Sequence, residues 1–151
     1  MICIIFILII IGARRYGSAV DMWSVGCILA ELLIHKPLFP GKTEMELIQR
    51  IFTLCGTPTV EDWPEHTDKK LYPYFSTVAP KERIKQNLRP QLSRLISTRS
   101  NELTEAQKSL SIDLICKLLE MNPSKRFTAD QALVYLLVVF NSLLLYIASL
   151  I

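Results

Sequence analysis

The apolar positions of this chain recur at helical spacing and nowhere alternate over a strand-length window. In residues 18–33, Met22, Val25, Ile28, Leu29, Leu32 and Leu33 return every three or four residues, and Trp23 and Cys27 fill much of the remaining circumference. Ser24, Gly26, Ala30 and Glu31 are the interruptions. A helix apolar on nearly every side is expected to be buried in a larger domain. Ser18 and Asp21 stand at the [ST]-x-x-[DE] spacing of a capping box, which predicts the helix start. Gly26 in mid-helix costs about 1 kcal/mol against Ala, so its presence predicts a close neighbour.

Further helix starts are written in the side chains. Thr43 with Glu46 opens a helix over residues 44–55, where Leu47, Ile48, Ile51, Phe52 and Cys55 form one stripe. Pro37, Pro40 and Gly41 mark the loop before it, and Gly56-Thr57-Pro58 ends it. Thr104 with Gln107 opens a third helix, with Ser109 and Ser111 as alternative caps; Leu110, Leu114, Ile115, Leu118 and Leu119 are its apolar positions, and Asn122-Pro123 stops it. Thr128 with Gln131 opens the last. The fold expected from this pattern is all-α.

Residues 57–103 separate the second and third of these helices and hold Trp63, Tyr72, Tyr74, Phe75 and several prolines. Within them Lys81, Arg83, Lys85, Arg89, Arg94 and Arg99 face Glu82 as the sole carboxylate of residues 81–99. The plain reading is a solvated face of irregular helix. The sharper one is a docking surface for an acidic partner or a phosphate.

Several motifs stand in one order along the chain. Ala19-Val-Asp-Met-Trp-Ser-Val-Gly-Cys-Ile-Leu-Ala-Glu-Leu-Leu33 resembles the central helix of a eukaryotic protein kinase C-terminal lobe. His35-Lys-Pro-Leu-Phe-Pro-Gly-Lys-Thr-Glu44, Ile51-Phe-Thr-Leu-Cys-Gly-Thr-Pro58 and Trp63-Pro64 are similar to the cyclin-dependent branch of that family. Asn122-Pro-Ser-Lys-Arg-Phe-Thr-Ala-Asp-Gln-Ala-Leu133 resembles the last kinase subdomain. The resemblance covers residues 12–133 and implies a C-lobe fragment of a kinase-like fold.

The sequence contains no G-x-G-x-x-G loop, V-A-I-K lysine, H-R-D-L-x-x-x-N loop or D-F-G. Phosphoryl transfer depends on those parts to position nucleotide, metal and hydroxyl. The resemblance therefore implies serine/threonine kinase chemistry with ATP and Mg²⁺ in the intact family, with cyclin as partner. This chain is expected to hold no catalytic, cofactor-binding or metal residue. The positions that match the family are structural. The aspartate matching Asp21 accepts hydrogen bonds from catalytic-loop amides in the family, and with that loop absent a helix-cap role is expected. Trp23 is expected in the core, and Gly26 is the mid-helix glycine. The arginine matching Arg126 pairs in the family with the glutamate of an Ala-Pro-Glu triplet. Counting back without a gap puts that triplet at Phe6, Ile7 and Leu8, so Arg126 is expected to be unpaired or re-partnered.

Composition separates the chain into three segments. The 17 basic and 14 acidic residues all lie between Gly12 and Asp130, leaving residues 1–11 and 132–151 without charge. A net charge of +3 and the lack of basic-aromatic patterning argue against nucleic acid. Cys3, Cys27, Cys55 and Cys116 form no C-x-x-C pair and read as reduced, core-packing thiols; His35 and His66 have no partner at metal-ligand spacing. The expected division is an apolar extension at 1–11, a partial C-lobe at 12–133 carrying the basic insert, and an apolar tail at 134–151. Residues 2–11 are too short to span a bilayer and lack a charged n-region, whereas residues 132–151 reach transmembrane length and would form a tail anchor. Resemblance is lost at both ends together, and a broken reading of the gene accounts for both where an anchor accounts for one. By family the location is cytoplasmic or nuclear, with a membrane location if the tail is an anchor. The alternative to an inactive kinase fragment is a noncatalytic, tail-anchored interaction module exposing the insert.

Overall fold

The computed structural model describes residues 17–99 and 103–137, and among these there are helices and no strands. Helix α1 spans Ala19–Ile34, α2 Glu44–Cys55, the short α3 Phe75–Val78, α4 Leu88–Arg99 and α5 Glu105–Leu118, with a 3₁₀ turn at Pro64–Thr67. A last helix, α6, opens at residue 129 and is described through 137. α1, α4 and α5 each pack on the other two.

α1 is the axis. Its Trp23, Cys27, Ala30 and Ile34 enter a core with Ile51 and Cys55 of α2, Leu88, Leu92 and Ile96 of α4, and Ile112, Ile115 and Leu119. On its flank Met22 meets Leu114, Leu118 and Ala132, with Leu29, Phe127, Tyr135 and Leu136 packed alongside. A second cluster joins Ile48 and Phe52 to Trp63 and Phe75, where the aromatic rings meet edge-on. Gly26 is where α1 and α5 come closest: a Cβ there would lie 2.8 Å from Leu118 Cβ and 3.0 Å from Leu119 Cδ2. The close neighbour expected of it is present.

The side-chain caps form at three of the predicted starts. Thr43 Oγ1 accepts from the Glu46 amide at 3.2 Å, while Glu46 Oε2 takes the Lys42 amide at 2.7 Å. Thr104 and Gln107 make a reciprocal box, so Thr104 is the cap and Ser109 and Ser111 lie inside the helix. Thr128 and Gln131 repeat the arrangement. The box expected at Ser18 and Asp21 does not form. Ser18 already has helical angles (φ −53°, ψ −21°) and its side chain caps nothing, because a capping serine needs extended backbone to swing its oxygen over the first turn. The α1 start instead uses backbone turns from Val20 and Met22 to the carbonyls of Gly17 and Ser18.

The stretch at 88–99 also departs from expectation. It is a regular helix, and Leu88, Leu92 and Ile96, four residues apart, are completely buried. The cations between them mask an apolar stripe that fills the space under α1. Gly56, at φ +81°, lets residues 84–86 pass against the α2 terminus: a Cβ there would meet Gln86 N at 2.9 Å and Ile84 O at 3.1 Å. Thr57 then ties to Ile84 through both backbone and hydroxyl.

The expectation that α1 is buried on all sides is corrected as well. Val25, Ile28 and Leu32 remain 40%, 44% and 65% exposed, because no described element covers the face that carries them. No described helix is long and apolar enough to cross a membrane; most of the tail at 134–151 and all of residues 1–16, including Cys3 and the Leu8 position, lie outside the described residues.

Candidate functional site

The N-terminal end of α1 holds the most constrained charged group described. Arg126 is buried. Its Nε and Nη2 donate to the Glu120 carbonyl at 2.9 and 2.8 Å, and Nη1 donates to the Ala19 carbonyl at 2.6 Å. The guanidinium also lies over the Trp23 ring, 4.9 Å from its centroid. One side chain therefore clamps the start of α1 to the chain leaving α5. Burial pulls the Arg126 pKa down to about 10, opposed chiefly by the Glu120 carboxylate. Of the two outcomes expected for it, Arg126 is re-partnered: its fork is spent on main-chain oxygens, which a planar set of donors can reach on two sides at once.

Trp23 is buried as expected, stacked 6.4 Å from Phe39. Its indole N–H has no hydrogen-bond partner among the described residues, so it is held by packing and by Arg126. Asp21 lies two residues away but is exposed. Among the described residues no hydrogen bond or ion pair reaches its carboxylate, so the expected cap role fails together with the Ser18 box. On a helical projection Asp21, Val25, Ile28 and Leu32 fall on one face. That face is an open strip headed by a carboxylate that has no partner among the described residues.

The basic residues of the insert do not gather into one surface. Arg89 pairs with Asp113 at 2.6 Å, and Arg94 donates to Gln91 at 3.2 Å. Arg83 and Lys85 line a cleft of about 270 Å³ together with Asp62 and Glu120, while Lys81 lines another beside His66 and Tyr72. The Arg99 side chain lies outside what is described. Asp113 sits at the centre of a bracket that sequence reasoning missed: it takes Arg89 from α4 and the Tyr135 hydroxyl from α6 at 2.8 Å. Burial raises its pKa, but the Tyr135 and Arg89 hydrogen bonds and Lys117 outweigh this and leave it below the ordinary value. Nothing in the spacing of residues 89, 113 and 135 announces their meeting. Cys27 and Cys55 are buried, Cys116 is half-buried, and burial pushes the Cys55 thiol well up. No group of side chains among the described residues is arranged to hold a metal ion.

The protein kinase domain family matches residues 8–137. The chain belongs to the protein kinase family. The match runs four residues past each end of the stretch marked out by the motifs. Its relatives place it in the cyclin-dependent-kinase-like branch. Over 125 residues it is 41% identical to Cyclin-dependent kinase C-3 of Oryza sativa subsp. japonica, covering 83% of this chain and 34% of the relative. Over the same length it is 38% identical to serine/threonine-protein kinase ppk23 of Schizosaccharomyces pombe and 39% to Cyclin-dependent kinase G1 of Arabidopsis thaliana, covering 28% and 19% of them. Among solved structures, a chain of the yeast RNA Pol II CTD kinase CTDK-1 complex superposes with a TM-score of 0.66 at 30% identity, covering 82% of this chain and 37% of that one. A chain of the Chaetomium thermophilum CAK complex bound to ATP-gamma-S gives 0.65 at 38% identity, covering 82% and 35%. The kinase chain thus spans about a third or less of the length of the curated relatives it matches. Among the described residues, its all-helical architecture is that of part of a kinase domain.

Proposed function

We propose that this chain is the latter half of the C-lobe of a cyclin-dependent-type serine/threonine kinase, and that by itself it neither binds ATP–Mg²⁺ nor transfers phosphate. Protein kinases use ATP and Mg²⁺, and phosphoryl transfer is almost wholly a matter of positioning phosphates, metal and hydroxyl. The observation that carries the proposal is the open strip of α1. In the family the resemblance implies, the catalytic loop lies on this helix and hydrogen-bonds the aspartate that matches Asp21. Here Asp21 is exposed and Val25, Ile28 and Leu32 face water. Arg126 is then a positioning residue of the fold, and neither it nor Asp21 is a catalytic one. Cyclin, the family's partner, belongs to the intact kinase, and the location is cytoplasmic or nuclear.

Nucleotide titration by calorimetry, with a phosphorylation assay on a Ser-Pro peptide, tests this directly. No saturable binding and no turnover are expected. Micromolar, Mg²⁺-dependent ATP binding with turnover would overturn it.

The second reading is a noncatalytic interaction module. Arg83 and Lys85, exposed on the cleft beside α2 without an ion pair among the described residues, are what favours it, and a tail anchored in the membrane would accompany it. A fluorescent fusion that resists carbonate extraction, and is released when residues 138–151 are removed, supports the anchor; recovery of the whole fusion in the soluble fraction refutes it.

A further inference from the structure

A groove of about 320 Å³ opens where the loop after α1 meets α2 and α4. Its floor is aliphatic. Leu38 and Leu92 are buried there, while Leu54 and Leu95 keep part of their surface open. The two helical walls present residues 50, 53 and 54 of α2 and residues 91, 92 and 95 of α4, the three-and-four spacing of a single helix face in each case. Lys36 and Arg50 stand on the same groove, both exposed, and neither has an ion pair among the described residues. No carboxylate lines it. We propose that this groove takes an acidic amphipathic peptide segment of another protein, with aliphatic side chains on the leucine floor and carboxylates on Lys36 and Arg50. This docking goes beyond the kinase reading and does not depend on it.

Charge selects the occupant. The cleft at Arg83 and Lys85 shares its two cations with Asp62 and Glu120, so it has little left to offer an acidic partner. The groove has two cations and nothing to offset them. The neighbouring carboxylates are committed elsewhere: Glu31 accepts from the Leu38 amide at 2.9 Å and Glu46 from the Lys42 amide at 2.7 Å. Complementary charge fixes the register and speeds the encounter, while the aliphatic floor supplies the burial. A basic or neutral segment would leave Lys36 and Arg50 without partners at the covered edge, which disfavours it. The loop that forms one side is held in shape before any partner arrives. Pro37 and Pro40 fix its backbone, and the Glu31 hydrogen bond anchors Leu38 between them. A preformed groove spares the ordering cost that a loose loop would levy on binding.

A randomised peptide library displayed on phage and panned on the full chain tests the proposal without presupposing a sequence. Enriched peptides are expected to combine Asp or Glu with Leu, Ile or Val. Synthesised and titrated by fluorescence anisotropy, they should bind at least tenfold more weakly to the double variant Lys36→Glu, Arg50→Glu. Both positions are exposed, so the core is untouched, and unchanged far-UV circular dichroism verifies the fold. Panning on that double variant should enrich Lys and Arg in place of Asp and Glu. The control is Arg83→Glu with Lys85→Glu, which should leave affinity within twofold. No enrichment on the parent chain, enrichment of basic or uncharged peptides, or binding that survives the reversal at residues 36 and 50 overturns the proposal. Loss of binding in the control moves the docking to the other cleft and overturns it as well. None of these outcomes bears on nucleotide binding, so the kinase reading stands or falls separately.

Discussion

Arg126 joins the chain after α5 to the start of α1 through main-chain oxygens. A lysine has one compact charge where arginine has a planar fork, so it cannot serve the Glu120 and Ala19 carbonyls together. Hydrogen bonds to charged groups contribute about 1.5–3 kcal/mol. Arg126→Lys is therefore expected to destabilise the fold by about 2 kcal/mol and Arg126→Ala by about 3 kcal/mol. Urea denaturation followed by tryptophan fluorescence reads both, since Trp23 lies directly under the guanidinium. An Arg126→Ala variant as stable as the parent would show that water replaces the clamp without loss.

Among the elements, α4 carries the largest difference between appearance and role. Its cations give it a polar composition, yet Leu92 is fully buried between α1 and α5. Leu92→Ala should cost about 2–5 kcal/mol, the range for cavities in a packed core. Arg94→Ala on the same helix should stay within about 0.5 kcal/mol, as surface changes do. Equal losses from both would mean that α4 is not docked. The bracket at Asp113 adds a pH dependence to the docking of α6. Asp113 has its pKa lowered in the fold, so its contribution is present above the ordinary carboxylate value of 3.8 and is lost as pH falls through the folded value. Tyr135 has its pKa raised, by the Asp113 hydrogen bond first, so its contribution is present below 10.0 and is lost as pH rises beyond. Docking of α6 should hold across the interval between and weaken at both ends. Asp113→Asn should flatten the acid limb; hydrogen exchange in residues 129–137 against pH reads the effect.

For the whole molecule, the balance turns on α1. Each large side chain left in water forfeits about 1.5–3 kcal/mol of burial, and the strip leaves three of them substantially exposed. That sum is comparable to the net stability of an ordinary domain, about 5–15 kcal/mol. The segment 12–133 produced alone is therefore expected to bind a hydrophobic dye, exchange its amides quickly and tend to aggregate, and to be less stable than the full chain. A sharp cooperative melt of monomeric 12–133, with slow exchange across Met22–Leu33, would overturn this.

What residues 17–137 owe to sequence alone is local. The threonine caps at 43, 104 and 128, the stop at Gly56, the demand of Gly26 for a close neighbour and the ordered kinase motifs are each contained in a few adjacent residues, where spacing dictates chemistry. Tertiary structure decided whatever joins distant positions. The Ser18 box failed because the backbone at Ser18 was drawn into the helix. The face of α1 that stays open depended on which elements arrive to cover it, and periodicity around a helix carries no record of that. Leu88, Leu92 and Ile96 were legible as spacing but hidden by the charges between them, whose side chains point to solvent while the leucines and isoleucine turn inward. The meeting of Arg126 with Ala19, 107 residues apart, and of Asp113 with Arg89 and Tyr135, rests on helix packing, which brings together side chains that no window along the chain contains.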